Sequence, residues 1–155
     1  MLNRFLLVAI LIGLSASFGY AQSSPVIGSW SCSHVSRSQY PNQRPVNESW
    51  QFTLTLSSNG VAEATGNHTA SNGTFRFFAK GSWGVNEGVV EVRGDMEGGA
   101  HQAAARAVGM PPYAQMRFFG LLLNPQTADY LFWDKQEGNA STGDTRNASE
   151  CRRIN

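Results

Sequence analysis

The chain is predicted to be an all-β protein: an eight-stranded antiparallel up-and-down barrel, with one short helix inserted between the fifth and sixth strands. Three observations predict this. Short segments of period-2 apolar alternation recur along the chain, separated by turns rich in Asn, Gly and Ser. Two cysteines, Cys32 and Cys151, fall in the first and the last of those segments. The triplet Gly28-Ser29-Trp30 opens the first segment and returns in mid-chain as Gly81-Ser82-Trp83. Closing a sheet on itself makes the first and last strands neighbours, and a bond between two cysteines placed there fits a barrel better than a sandwich.

Residues 1–21 are set apart from the fold. Arg4 gives a positive start, Phe5 to Leu14 is an apolar run, and Gly19-Tyr20-Ala21 puts small residues at −3 and −1. This is the pattern of a secretory signal peptide cut near Ala21. No later apolar run approaches the ~20 residues of a spanning helix. Residues 22–155 then form a single barrel domain, exported to the periplasm or secreted. Arg4 is the one charged residue of the leader, so eleven basic residues face eleven acidic ones in the rest. That balance offers nothing to steer nucleic acid. In an oxidising compartment Cys32 and Cys151 are expected to form a disulfide, with a loop-closure contribution of roughly 4–5 kcal/mol.

The elements follow in order. Val26 to His34 reads as the first strand, and residues 36–47, with Pro41 and Pro45, as a long polar loop. Trp50, Phe52, Leu54 and Leu56 share one face of the second strand, with Gln51, Thr53 and Thr55 opposite. Ser57-Ser58-Asn59-Gly60 is a hairpin turn into the third strand, Val61 to Gly66. Phe75, Phe77, Ala79, Gly81 and Trp83 line one face of the fourth, where an interior glycine marks a bulge or bend. Val89 to Arg93 is the fifth. Within residues 94–113, Gly98-Gly99 precedes the alanine-rich run His101 to Val108, which has good helix propensity and ends at Gly109. Its alanines offer little apolar area to hold it on the barrel. Gln115 to Leu123, Asp129 to Asp134 and Thr145 to Ile154 complete the strands, with residues 136–144 a polar loop.

With that order, the chain resembles the lipocalin-like (calycin) barrels. Their first-strand Gly-x-Trp stands here as Gly28-Ser29-Trp30, and their Thr-Asp-Tyr element as Thr127-Ala128-Asp129-Tyr130 with one residue inserted. Their late arginine, which packs on the first tryptophan, is matched by Arg152 or Arg153. The resemblance implies a structural plug of Trp30 and one of these arginines, and an interior that takes an apolar ligand.

The candidate ligand-binding residues are Trp50, Phe52, Leu54, Phe75, Phe77, Met116 and Phe118 on the inner wall, with Met110 and Tyr113 at the mouth. The same side chains could instead fill the interior completely. His34, His68 and His101 share no metal-ligand spacing and fall in or near polar segments, which predicts exposed positions. No nucleophile-elbow, zinc-protease or phosphate-loop motif is present, and Asp95 and Glu97 read as solvated loop carboxylates. The expectation is a non-enzymatic barrel with no cofactor, binding a small apolar ligand. The alternative is an interaction or inhibitor protein that meets a protein partner through the loops at 36–47, 94–113 and 136–144.

Overall fold

The computed structural model describes residues 25–110, 117–139 and 143–154, so the leader lies outside the described residues. Eight strands follow one another round a closed antiparallel barrel. They are β1 (Gly28–Gln39), β2 (Val46–Leu56), β3 (Val61–Ala70), β4 (Gly73–Asn86), β5 (Val89–Gly98), β6 (Arg117–Thr127), β7 (Tyr130–Asn139) and β8 (Gly143–Arg153). Helix α1 (Gly99–Ala107) follows β5 directly. No helix among the described residues is long and apolar enough to cross a membrane.

The strands outrun their expected ends, and the polar loops shrink to match. Half of the 36–47 loop is ladder: Ser38 pairs with Val46 on one side and with Thr145 on the other. β5 continues to Gly98 and buries Met96, and β7 reaches Asn139. Polar residues suit these extensions because the upper rim stands above the core. Strand pairing there satisfies the backbone while side chains still reach water.

The lower half is solid. Trp30, Leu54, Leu56, Ala62, Ala64, Ala79, Val90, Leu123 and Leu131 are buried there, and the three alanines leave room for the indole of Trp30. Cys32 pairs directly with Cys151 across β1 and β8, and the two form a disulfide. Gly81 and Gly94 face each other across β4 and β5. A Cβ at Gly81 would lie 2.0 Å from the Arg93 carbonyl oxygen, so the two strands approach as closely there as glycine alone permits. Where a bulge or bend was expected, the interior glycine instead marks a close approach within an unbroken register.

Trp30 closes the bottom. Its indole N–H donates to the Val26 carbonyl (2.9 Å), and the Arg153 guanidinium lies 4.3 Å from the ring centre. Arg153 also donates to the Ile27 and Ala128 carbonyls (both 3.0 Å) and to Pro25, and pairs with Asp129 (3.2 Å). Arg152 instead covers Tyr130, at 5.0 Å. Trp83, from the second Gly-Ser-Trp, donates to the Ser57 carbonyl (2.8 Å) and pins the β2–β3 turn to the wall.

One seam is incompletely zipped. β6 pairs with β5 from Arg117 to Leu123, and β7 pairs with β8 along its whole length. Between β6 and β7 the ladder is confined to the bottom: Asn124–Phe132, Pro125–Leu131 and Thr127–Tyr130, with a register shift. Above Asn124 the two strands part and leave a lateral opening in the upper half.

Candidate functional site

Four rings from four elements stand in a row across the upper barrel. His34 of β1 lies 4.9 Å from Trp50 of β2, tilted by 56°. Trp50 stacks on His68 of β3 at 4.2 Å and 14°, and His68 meets His101 of α1 at 5.0 Å. Strand parity builds the row. His34 follows Trp30 and Cys32 on the inward face of β1, Trp50 precedes Phe52 and Leu54 on that of β2, and His68 follows Ala62 and Ala64 on that of β3.

The expected exposure of His34 and His68 is thus corrected, whereas the His101 side chain is 43% exposed. His68 is fully buried, and His34 is partly so. His34 sits at the predicted end of the first strand and His68 two residues past that of the third, and both strands continue beyond them, to Gln39 and Ala70. Following the period-2 pattern through Cys32 to His34, and through Ala64 to His68, would have found both. Glu48, two residues before Trp50, obeys the same parity.

Hydrogen bonds fix the row. The His34 Nδ1 lies 2.7 Å from the Ser149 hydroxyl, which is itself buried. Burial, reinforced by the nearby His68, lowers the His34 pKa to about 4, so the ring is neutral at ordinary pH. The His68 Nδ1 accepts from the Ala100 backbone N–H (3.1 Å). Its proton therefore sits on Nε2, which lies 3.3 Å from Glu48 Oε2 but is not aligned as a hydrogen bond to it. The His101 Nε2 meets the same carboxylate oxygen at 3.0 Å. Burial lowers the His68 pKa, and His101 lowers it further, while Glu48 acts in the opposite direction.

Glu48, His68 and His101 bring three donor atoms within 4.8 Å of one another, enough in number for a divalent metal. The tautomer of His68 speaks against that use. A metal would need the bare lone pair of Nε2, whereas the Ala100 N–H already occupies the Nδ1 lone pair and leaves the proton on Nε2. The three groups make a polar cluster, in which Glu48 meets His101 by a hydrogen bond and lies 3.3 Å from His68 Nε2.

That cluster docks α1. Gly98 and Gly99 both take positive φ (84° and 78°), and a Cβ on Gly99 would stand 3.1 Å from His68 Nδ1. Gln102 accepts from the Gly98 N–H (2.6 Å), and Asn72 donates to the Ala100 carbonyl (3.1 Å). These polar contacts act together with Ala100 and Ala105, which are buried beneath the helix.

On the other side of Trp50 lies a small cleft of about 110 Å³. Its walls are Trp50, Phe52, Met96, Phe119 and Leu121, with His34 at the edge. Phe52, Phe77 and Phe119 pack together at 5.9–6.3 Å and form its floor. A space of about 380 Å³ runs along the open seam, between Leu121 and Leu122 on one side and Trp133 and Ser149 on the other. His34, Gly120 and Leu121 border both spaces, so the cleft leads into the seam. Larger hollows of about 540 and 820 Å³ lie elsewhere on the barrel, one against Gln51, Thr53 and Arg152 and one at the rim by Val35, Pro45 and Asn47.

Of the residues expected to bind ligand, Trp50 and Phe52 line the cleft and Phe77 lies beneath it. Leu54 is buried in the solid lower half, and Phe75 is partly exposed near the rim. Met110 is 40% exposed beyond the end of α1. Tyr113 and Met116 lie outside the described residues, as does the side chain of Phe118. Phe119, His34, Met96 and Leu121 were not anticipated.

The fold and site together define an eight-stranded antiparallel barrel with a plugged base, a ring-lined upper cleft and a helix docked on its rim. No family model matches the chain, and no curated protein matches it. Among solved structures, the crystal structure of Rv2717c from M. tuberculosis is similar at 15% identity, covering 85% of this chain and 94% of that one, with a TM-score of 0.33. So loose a likeness transfers no property from one chain to the other.

Proposed function

We propose that this protein is an exported, lipocalin-like, non-enzymatic barrel that binds a small, flat apolar molecule of one or two rings. The observation that carries the reading is the ring-lined cleft at the open seam. A fully enclosed apolar cavity of about 150 Å³ accepts benzene. The cleft here is smaller but opens sideways, so a ring can enter between Trp50, Phe52 and Phe119 while the rest of the molecule lies in the seam. His34 stands where the two spaces meet, and its Nε2 has no hydrogen-bond partner among the described residues. A polar group on the ligand would find it there. The seam, rather than the Met110 end, is the route of entry.

The lipocalin-like assignment draws support from the base. The three short motifs converge there: Arg153 covers Trp30 and reaches Ala128 and Asp129 of the Thr-Ala-Asp-Tyr element.

Line broadening of a fluorinated indole in ¹⁹F spectra tests the binding. Broadening should appear with the wild type and vanish with Leu121→Trp, which fills the cleft. Equal broadening by both proteins, or none with the wild type, would sink the proposal and favour the loop-mediated protein partner.

A further inference from the structure

The helix on the rim is held at its first turn by a bond that acid must break. The Ala100 N–H donates to the one bare nitrogen of a fully buried ring, His68 Nδ1. A proton added to that ring can go nowhere else, because Nε2 already carries one. The new N–H would then point at the Ala100 N–H, donor against donor. The positive end of α1 also faces the ring there.

Few other groups compete. Glu48 of β2 faces Nε2, His101 of α1 shares that carboxylate, and His34 of β1 lies beyond Trp50. From β4 and β5, which also pack against α1, no charged group is paired with the ring among the described residues. Glu48 would hold the imidazolium once it forms, so the charged ring keeps a partner on the barrel while the Ala100 N–H loses its acceptor and the helix keeps its ties through Asn72 and His101. Trp50 lies flat against His68 on one face and walls the cleft with its other surface.

We infer that α1 is an acid-released latch: protonation of His68 at Nδ1 breaks the bond that docks its first turn, and Trp50 carries the loosening to the cleft. The release of the helix stands on the hydrogen-bond geometry alone. Its effect on a bound molecule rests on the ligand-binding reading above.

Hydrogen exchange from about pH 7.5 down to about pH 4.5 separates the two parts. The amides of α1 should lose protection by about tenfold or more, after correction for intrinsic rates, before those of the strands do. His68→Phe, which has no acceptor, should exchange fast across the whole range, whereas His101→Ala should keep the acid response. Protection of α1 that is unchanged by pH, or that falls only together with the strands, overturns the latch. So does loss of the response in His101→Ala. Should His68→Phe fail to fold, the ¹⁵N shifts of His68 in the wild type decide the matter. Nδ1 must gain its proton over the same pH interval in which α1 loses protection, and a titration without that loss overturns the inference. For the cleft, release of the fluorinated indole should quicken over the same interval. A latch that opens with no change in indole release refutes the link through Trp50 and leaves the latch standing. If the indole never binds at neutral pH, the ligand reading fails and the exchange data alone judge the latch.

Discussion

At the scale of single residues, two side chains do unlike work at opposite ends of the barrel. Arg153 is structural. It supplies donors to the Ile27, Ala128 and Pro25 carbonyls and lays its plane over Trp30. Replacing it with Met should lower the unfolding free energy on the order of 2 kcal/mol, by leaving those acceptors unpaired and the indole uncovered. Arg153→Lys should recover little, because an ammonium lacks the planar fork. Urea unfolding checks both, and a wild-type midpoint for Arg153→Met would contradict the plug. His34 is one residue that ties stability to pH. Its pKa falls from the ordinary 6.5 to about 4 because burial penalises the charged ring. Between those values the unfolded chain binds the proton and the folded one does not. Stability is therefore highest above about pH 6.5, declines as the pH falls toward about 4, and levels off below that. The contribution of this one ring is on the order of 3 kcal/mol. Unfolding midpoints over that interval should show the slope, and His34→Gln should flatten it in part.

At the scale of elements, the contrast is between strands that close the barrel and a seam that does not. The β1–β8 junction carries the disulfide, which closes a span of 119 residues. Replacing both cysteines with Ala should cost up to about 4–5 kcal/mol on the chain-entropy model. Circular dichroism of that variant at neutral pH should still show the strands, since β1 and β8 pair along their whole shared length. The β6–β7 seam has no such tie. Above Asn124, every second amide of β6 should exchange rapidly, those turned toward the parted strand, while those bonded to β5 remain protected. Uniform protection along Arg117–Leu123 would mean that the seam is shut in solution. Such an opening was not legible in the sequence, because β6 reads as a good apolar strand whatever lies beside it. Pairing is a property of two strands, and alternation reports only one.

At the scale of the whole molecule, the sequence carried the closure and the base but not the site. Eight alternating segments, turn residues such as Asn59-Gly60 and cysteines in the terminal strands were enough to order the barrel, because each is a local or pairwise constraint. Trp30 with a late arginine was legible for the same reason, although the choice between Arg152 and Arg153 depended on strand parity at the very end. His34 and His68 were misread because their neighbours are polar. Ser36, Asn67 and Thr69 look like loop residues until the ladder is seen to continue through them. The cleft depends on Phe119 turning inward, and on how the volumes of the inward side chains, alanines at 62, 64 and 79 among them, fill the barrel. Those are matters of volume, which periodicity does not measure.

The claim that matters most is that a flat apolar molecule sits between Trp50, Phe52, Phe119 and Leu121 with its outer end in the β6–β7 seam. A crystal soaked with a brominated indole, its bromine located by anomalous scattering, tests this directly. The bromine should lie in the cleft or in the seam beside His34 and Gly120, and Leu121→Trp crystals should lack it. A bromine in the outer hollow by Gln51 and Arg152, or at the Met110 end of α1, would contradict the claim.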